Sequence, residues 1–287
     1  MGFSIFFAGP DHTNGQEPLD MLEASNLDHH NQVINNEINT TFRGDVLSFS
    51  LQKDGNVSNN IIYGGSIALF LDRNVTCTNN RLVKPIAQGI YLSLPSYDMT
   101  IANNTIINPL SAGIKVARQS DYQDADENSL TTIEHRSSNI YIKDNNITDS
   151  RLHAIEVNNL ADSNITGNKI SNADLSGIYM SHSDRMYVAN NNITDVNMAA
   201  GGERELLYNW NTAWDSGIYL EQYMTDSIVE NNVINSKGGF IQWGIAINHN
   251  WEGNEGSIIR NNSLLGEFVH EKVHVGDTDN VEEGNGG

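Results

Sequence analysis

A single cysteine, Cys77, stands in 287 residues, which rules out disulfides within the chain and every zinc pattern built on paired cysteines. Basic residues are scarce: 16 Lys plus Arg face 36 Asp plus Glu, a formal charge of −20. With no basic stripe, binding to nucleic acid or to anionic membranes is excluded as a function class. No window holds the roughly 20 continuous apolar residues of a membrane-spanning helix, and the apolar start Gly2–Phe7 lacks the layout of a secretory signal. The remaining profile is an acidic protein suited to an extracellular or cell-surface, saline or calcium-rich setting. The nine histidines include His29-His30 and His270-x-x-x-His274, spacings that on strands or loops make no tetrahedral zinc or copper cluster.

Asparagine is what the chain has in excess, with 40 copies, and its spacing matters more than its number. A six-residue pattern (apolar, any, Asn/Asp/Gly, Asn, any, Ile/Leu) recurs nine times, from VINNEI at 33–38 to IRNNSL at 259–264. The fixed Asn falls at 36, 60, 80, 104, 145, 168, 191, 232 and 262, a basic step of 20 to 24 residues broken by longer intervals. A second element follows ten residues later at Val46, Ile90, Ile114, Ile155 and Ile178, and reads GIYL, GIKV, AIEV and GIYM in four of them. SIAL, GIYL at 217–220 and GIAI repeat it at altered offsets.

Short alternating strands without helical periodicity, at a period just above 20, leave few repeat architectures. Leucine-rich repeats need an LxxLxL signature that is missing, and a propeller blade needs about 40 residues. The spacing predicts an all-β parallel β-helix of about ten coils, with the fixed Asn stacked into a buried ladder. One domain spans 1–287, with insertions at 8–29, 118–138 and 195–215. The strand at the start and KVHV at 272–275, followed by an unfinished turn, read as the cut ends of a longer solenoid. Cys77 takes an inward slot held elsewhere by Val or Ile and is assigned to the core.

From about residue 31 to 275 the NxI and GIxL repeats resemble the right-handed parallel β-helix proteins of the pectin-lyase-like superfamily, which include polysaccharide lyases, uronan epimerases and periplasmic copper-maturation proteins. The resemblance implies that the Asn ladder lies between the second and third strands of each coil. GIxL is then the first strand, the one that floors the carbohydrate groove. The DPH signature of mannuronan epimerases and the Lys and Arg motifs of related alginate lyases are absent.

In that register all three insertions overhang the first sheet and wall a groove. Strand alternation puts Ala68, Tyr91, Lys115, Glu156, Tyr179, Tyr219 and Ala246 on its outer face. The next outward column runs through Ser181, Glu221 and Asn248, with Arg118, Arg151, His153, His182, Asp215 and His249 close by. Proton abstraction α to a uronate carboxylate needs a charge neutraliser and a proton carrier. Lys115 or Arg118 fits the first role, and Tyr179 or His182 the second. Hydrolysis needs two carboxylates, for which Glu156, Asp215 and Glu221 are the members at hand. An ordinary Lys115–Glu156 cross-strand ion pair and tyrosines filling a pleated surface are the bland alternative.

Tyr91, Tyr219 and His249 are candidate sugar contacts. Among four tryptophans clustered at 210–251, Trp210, Trp243 and Trp251 suit a carbohydrate platform, whereas Trp214 suits the core of its loop. Asp124-x-Asp126-x-Asn128 opens like a calcium loop, although Ser129 replaces the usual Gly and Glu134 comes one position early. The expectation is a carbohydrate-active protein whose partner is an acidic polysaccharide, acting as a lyase or C5-epimerase, with calcium as a possible cofactor. The alternatives are a glycoside hydrolase and a non-catalytic binding or structural solenoid, such as an adhesin or tail-fibre segment.

Overall fold

The computed structural model describes residues 5–8, 28–40, 44–93, 95–117, 136–199, 215–238, 240–248, 253–275 and 279–287. Three parallel sheets run its length, with no helix among the described residues. The first has ten strands, from Ile5–Ala8 through Asp45–Ser50, Ile114–Ala117, Ile155–Asn158 and Ile178–Ser181 to Val273–His274. The second has ten, from Gln32–Ile34 to Val281–Glu283, and the third has nine, from Glu37–Asn39 to Ser263–Gly266. This is the parallel β-helix the spacing predicts, right-handed as the resemblance implies, with about nine complete turns set by the nine-stranded third sheet.

The repeat explains itself residue by residue. Inward positions of all three sheets carry mostly Ile, Leu, Val or Met, with Phe49 in the first sheet, and they stack into one continuous core that includes Cys77 between Val57 and Ile101. Burial pushes the Cys77 thiol up to about 12, so it is an inert core group. After the second strand the backbone must turn sharply. The residue just before each ladder Asn takes a left-handed φ of 54 to 68°, at Asn35, Asn59, Asn79, Asn103, Asp144, Gly167, Asn190, Asn231, Asn261 and Gly284. Asn, Asp and Gly tolerate that region best, which is why the third slot of the pattern admits only those three.

The following Asn fills the corner. Each Oδ1 accepts both the backbone N–H and the Nδ2 of the Asn one coil earlier, with Nδ2 to Oδ1 distances of 2.9 to 3.0 Å from Asn36 to Asn285. Each inner Nδ2 also donates to a strand carbonyl, as Asn145 does to Ile101. Asn104 and Asn145 are 41 residues apart in sequence and vertical neighbours in space. The chain continues past KVHV into the strand Val281–Glu283 and a tenth ladder residue, Asn285, so the turn read as unfinished is carried further.

The first-strand glycines answer a different constraint. A Cβ at Gly89, Gly113, Gly177, Gly217 or Gly244 would stand 2.6 to 2.7 Å from a carbonyl oxygen of the next coil. One register differs from the sequence reading: Leu47, not Val46, aligns with Ile67, because the pairing shifts between Asp45 and Leu47. Val46 turns toward Gly65, where a Cβ would meet it at 2.3 Å.

Removing one ladder amide tests the architecture. Asn145→Ala deletes two bonds from Asn104 and the donations to Asn168 and Ile101. Chemical denaturation should show a loss of about 3 kcal/mol, since buried partners are left unmet. A second polar stack, at the corner after the first strand, holds Asp72. It is fully buried, accepts from the Gln52 N–H at 2.8 Å and leaves Oδ2 without a partner. Burial raises its carboxyl well above the ordinary range despite the backbone N–H groups that oppose the shift. The folded state therefore binds the proton more tightly than the unfolded chain, and stability falls as pH rises through the window above the ordinary carboxyl value of 3.8. Asp72→Asn should raise the melting temperature at pH 7.5 and leave it little changed at pH 4.

Candidate active face on the first sheet

Parallel in-register pairing places Lys115, Glu156, Tyr179 and Tyr219 on four successive coils as direct neighbours. Lys115 Nζ lies 2.7 Å from Glu156 Oε1 in a half-buried ion pair. Tyr179 donates its phenol proton to Glu221, which comes from the next coil and the next outward column. The rings of Tyr179 and Tyr219 meet edge to face at 5.8 Å, and Tyr219 Oη accepts from Asn248 Nδ2 at 2.8 Å. The five residues Lys115, Glu156, Tyr179, Tyr219 and Glu221 thus form one strip, as the alternation predicts.

A third outward column borders that strip. Two residues before the inward Ile of successive first strands stand His153, Ser176, Ser216 and Trp243. His153, only 4% exposed, stacks on Tyr179 with centroids 4.5 Å apart. Its Nδ1 accepts the Ser176 N–H at 3.1 Å, which assigns the ring proton to Nε2. Burial, opposed by Glu156 and assisted by Lys115, pushes its pKa down to about 4, so the imidazole is neutral near pH 7. Ser176 Oγ donates at 2.8 Å to Asp215 Oδ1, itself 3.9 Å from His153 Nδ1. Burial, with help from the Glu221 charge, lifts Asp215 to about 7 against the Ser176 bonds. Sequence reading places His153 and Asp215 nearby but gives His153 and Ser176 no role. The signal that would find them is the column two residues upstream of each strand.

Several expected contacts take other places. Tyr91 is 9% exposed, packs edge to face against Phe70 and donates its hydroxyl to the Ala117 carbonyl, so it is a supporting residue and not a displayed platform. Trp243 is also buried, at 8%: it packs with Tyr179, Tyr219 and Ala246 and stacks on His270 at 4.5 Å. The small side chain of Ala246 leaves the column open there, and the indole takes up the room. His270 and His274, which the sequence ties to no site, both lie against it. His182 sits in the left-handed corner just past Ser181, against the Tyr223 ring. Arg118, Trp210, Trp214, Trp251, His249, Asp124, Asp126 and Asn128 lie outside the described residues, as do most of the insertions 8–29, 118–138 and 195–215. Among the described residues no group of three or more His, Cys, Asp or Glu could hold a metal ion.

A strip with one neutral imidazole, one raised carboxylic acid and a phenol bonded to a carboxylate is equipped for proton transfer. Burial first, then the charge and hydrogen bond of Glu221, hold the Tyr179 phenol far above its usual range. Tyrosine-resolved NMR titration should find Tyr179 still protonated where surface tyrosines ionise, and Glu221→Gln should lower its midpoint.

The sequence pattern defining the right handed beta helix region matches residues 128–280. No curated protein matches this chain by sequence. Among solved structures, the A-module of the mannuronan C-5 epimerase AlgE6 of Azotobacter vinelandii superposes with a TM-score of 0.64 at 15% identity, covering 84% of this chain and 64% of that one. DFA-IIIase of Arthrobacter chlorophenolicus A6 gives 0.54 at 12%, covering 85% and 55%. The surface adhesin PfbA of Streptococcus pneumoniae gives 0.53 at 12%, covering 82% and 69%. At these identities the likeness is one of fold. The chain spans less than two thirds of the length of the first two.

Proposed function

We propose that this chain, which belongs to the right-handed β-helix family, binds an acidic, uronate-containing polysaccharide across its first sheet and abstracts the proton α to a uronate carboxylate there. The observation that carries the reading is the Tyr179–Glu221 hydrogen bond, flanked by neutral His153 and, on the preceding coils, by the Lys115–Glu156 pair. Lys115 exchanges Glu156 for the substrate carboxylate and offsets the charge that grows there. Glu221 takes the C5 proton, and the electron pair moves into the carboxylate. In a lyase the C4–O bond then breaks, a C4=C5 double bond forms, and Tyr179 gives its proton to the departing oxygen. Glu221 returns the captured proton to Tyr179, so the pair resets. One shuttle serving one face of the ring favours elimination; C5 epimerisation needs a second donor on the opposite face. The fold likeness to an epimerase module supports the same substrate class.

A charge of −20 opposes a polyanion, so divalent cations belong in the assay, and a calcium loop at Asp124, Asp126 and Asn128 is part of this proposal, as is an extracellular or cell-surface setting. A hydrolytic reading has its own support: Asp215, lifted to about 7 by burial with help from the Glu221 charge, holds on to the proton that a glycosidase acid must supply, and Glu221 is the second carboxylate such a reaction needs.

Alginate, pectate, glycosaminoglycans and neutral glucans incubated with calcium would separate the readings. Elimination predicts new absorbance from unsaturated ends on a uronate polymer, and Tyr179→Phe should slow it by about 100-fold or more. Reducing ends without that absorbance would replace the lyase reading with hydrolysis, and altered C5 stereochemistry by NMR would replace it with epimerisation. Binding without conversion would leave a sugar-binding solenoid, nearer in role to a surface adhesin such as PfbA.

A further inference from the structure

The corner after the first strand changes character along the solenoid. In the early coils its left-handed residue is a buried leucine, Leu51 or Leu71; in the coils that carry Glu156 and Tyr179 it is Asn159 and His182. An apolar corner needs no ligand, whereas a polar one beside a proton-transfer strip invites a question about what it meets. Tyr223 projects there. It is 45% exposed in a core-rich stretch, takes a left-handed φ of 51°, and leans on His182 with centroids 5.1 Å apart. Gly253 also packs close to it: a Cβ there would lie 2.7 Å from Tyr223 Cδ1. An imidazole and a backbone segment thus both approach the ring, and part of its surface is left open.

Two buried polar atoms at this corner lack a hydrogen-bond partner, His182 Nδ1 and Arg136 Nε. Arg136 spends Nη1 on Asp184, whose second oxygen is taken by Arg185, so the carboxylate is shared between two guanidinium groups. The Arg136 charge reaches His182, where after burial it is the second influence disfavouring protonation. A cation short of a full set of acceptors therefore stands near the imidazole on which the partly open Tyr223 ring leans. The ring lies two residues beyond Glu221, and His182 three beyond Tyr179.

We propose that Tyr223, His182 and Arg136 form a second sugar subsite, which takes a uronate unit next to the one that reacts at Tyr179. The pyranose face rests on the open part of the Tyr223 ring, and an oxygen of the sugar's carboxylate enters beside that ring to meet Arg136 Nε–H and the His182 imidazole. This rests on the acidic-polysaccharide reading and adds to it a reason for preferring a polymer charged at consecutive units. Such a subsite acts through affinity for the chain, not through the bond-making step.

The test measures binding of defined-length alginate and pectate oligomers by calorimetry, in the Tyr179→Phe background so that no ligand is consumed. Tyr223→Ala should weaken binding about 10-fold while Tyr223→Phe retains it, because the face of the ring and not its hydroxyl is used. Arg136→Gln should weaken binding and flatten its dependence on salt. Unchanged melting temperatures in these variants make the comparison valid; if Arg136→Gln unfolds, Arg136→Lys, which keeps the charge and loses the Nε donor, takes its place and should also bind more weakly. Conversion of uronate polymer by the unmodified chain, together with unaltered affinity in Tyr223→Ala and the Arg136 variant, would overturn the subsite and leave the lyase reading intact. Failure to bind or convert any uronate oligomer would remove both.

Discussion

The amide stack from Asn36 to Asn285 is the constraint on which the rest depends. Each link joins two coils through one oxygen that accepts twice, so a shift of one residue at this corner would strand two donors in the interior. The buried inward face of each strand opposes a one-residue slip, which would turn its apolar side chain outward, but a strand of three residues offers few such side chains to enforce it. A buried amide with no water to fall back on is far less forgiving. It therefore pins every coil at one point, and the first sheet, half a coil away, inherits that alignment.

This explains how the chain tolerates intervals of 41 residues between Asn104 and Asn145 and between Asn191 and Asn232 without losing its axis. Extra residues leave and re-enter the coil at fixed points, and the loop-closure cost of the added length grows slowly. The coils on either side still stack as though they were consecutive. Lys115 and Glu156, separated by such an interval, meet at 2.7 Å; Tyr179 and Glu221, separated by another, are joined by a hydrogen bond. The two longest intervals and the acid–base strip fall on neighbouring coils.

The sequence makes the fold and the strip legible to different depths. Period, ladder and inward apolar positions are readable because each is imposed on every coil, so nine weak signals add. The outer face of the first sheet follows from alternation once one register is set, which brings Lys115, Glu156, Tyr179, Tyr219 and Glu221 together on paper as in the structure. What alternation does not convey is how deep a side chain sits. Tyr91 and Trp243 occupy outward positions and are nonetheless covered, one by Phe70 and one by Tyr219 and His270, because neighbouring small residues let large rings lie flat. His153 and Ser176 escape a reading by strand alternation, since they lie at the entry to each strand, before the alternation begins; the repeated Ser-Gly-Ile-Tyr at 176–179 and 216–219 marks that column.

The electrostatics of the strip follow from its burial more than from its charges. His153 loses basicity, Asp215 gains it, and the phenols of Tyr179 and Tyr219 rise, and in each case the largest cause is exclusion from water. In solution these groups would titrate across a wide range with acids lowest; here a carboxylic acid and an imidazole have exchanged their usual order. That inversion leaves a proton on oxygen and none to spare on nitrogen near neutral pH. Stacking alone does not call for an imidazole and a carboxylic acid together, since Ser176 and Ser216 hold the same position as His153 on neighbouring coils. His153 enters the coil of Glu156 and Asp215 enters that of Tyr219, so the inverted pair flanks the strip that also holds the Lys115–Glu156 contact, and this coincidence is the strongest physical ground for placing chemistry there.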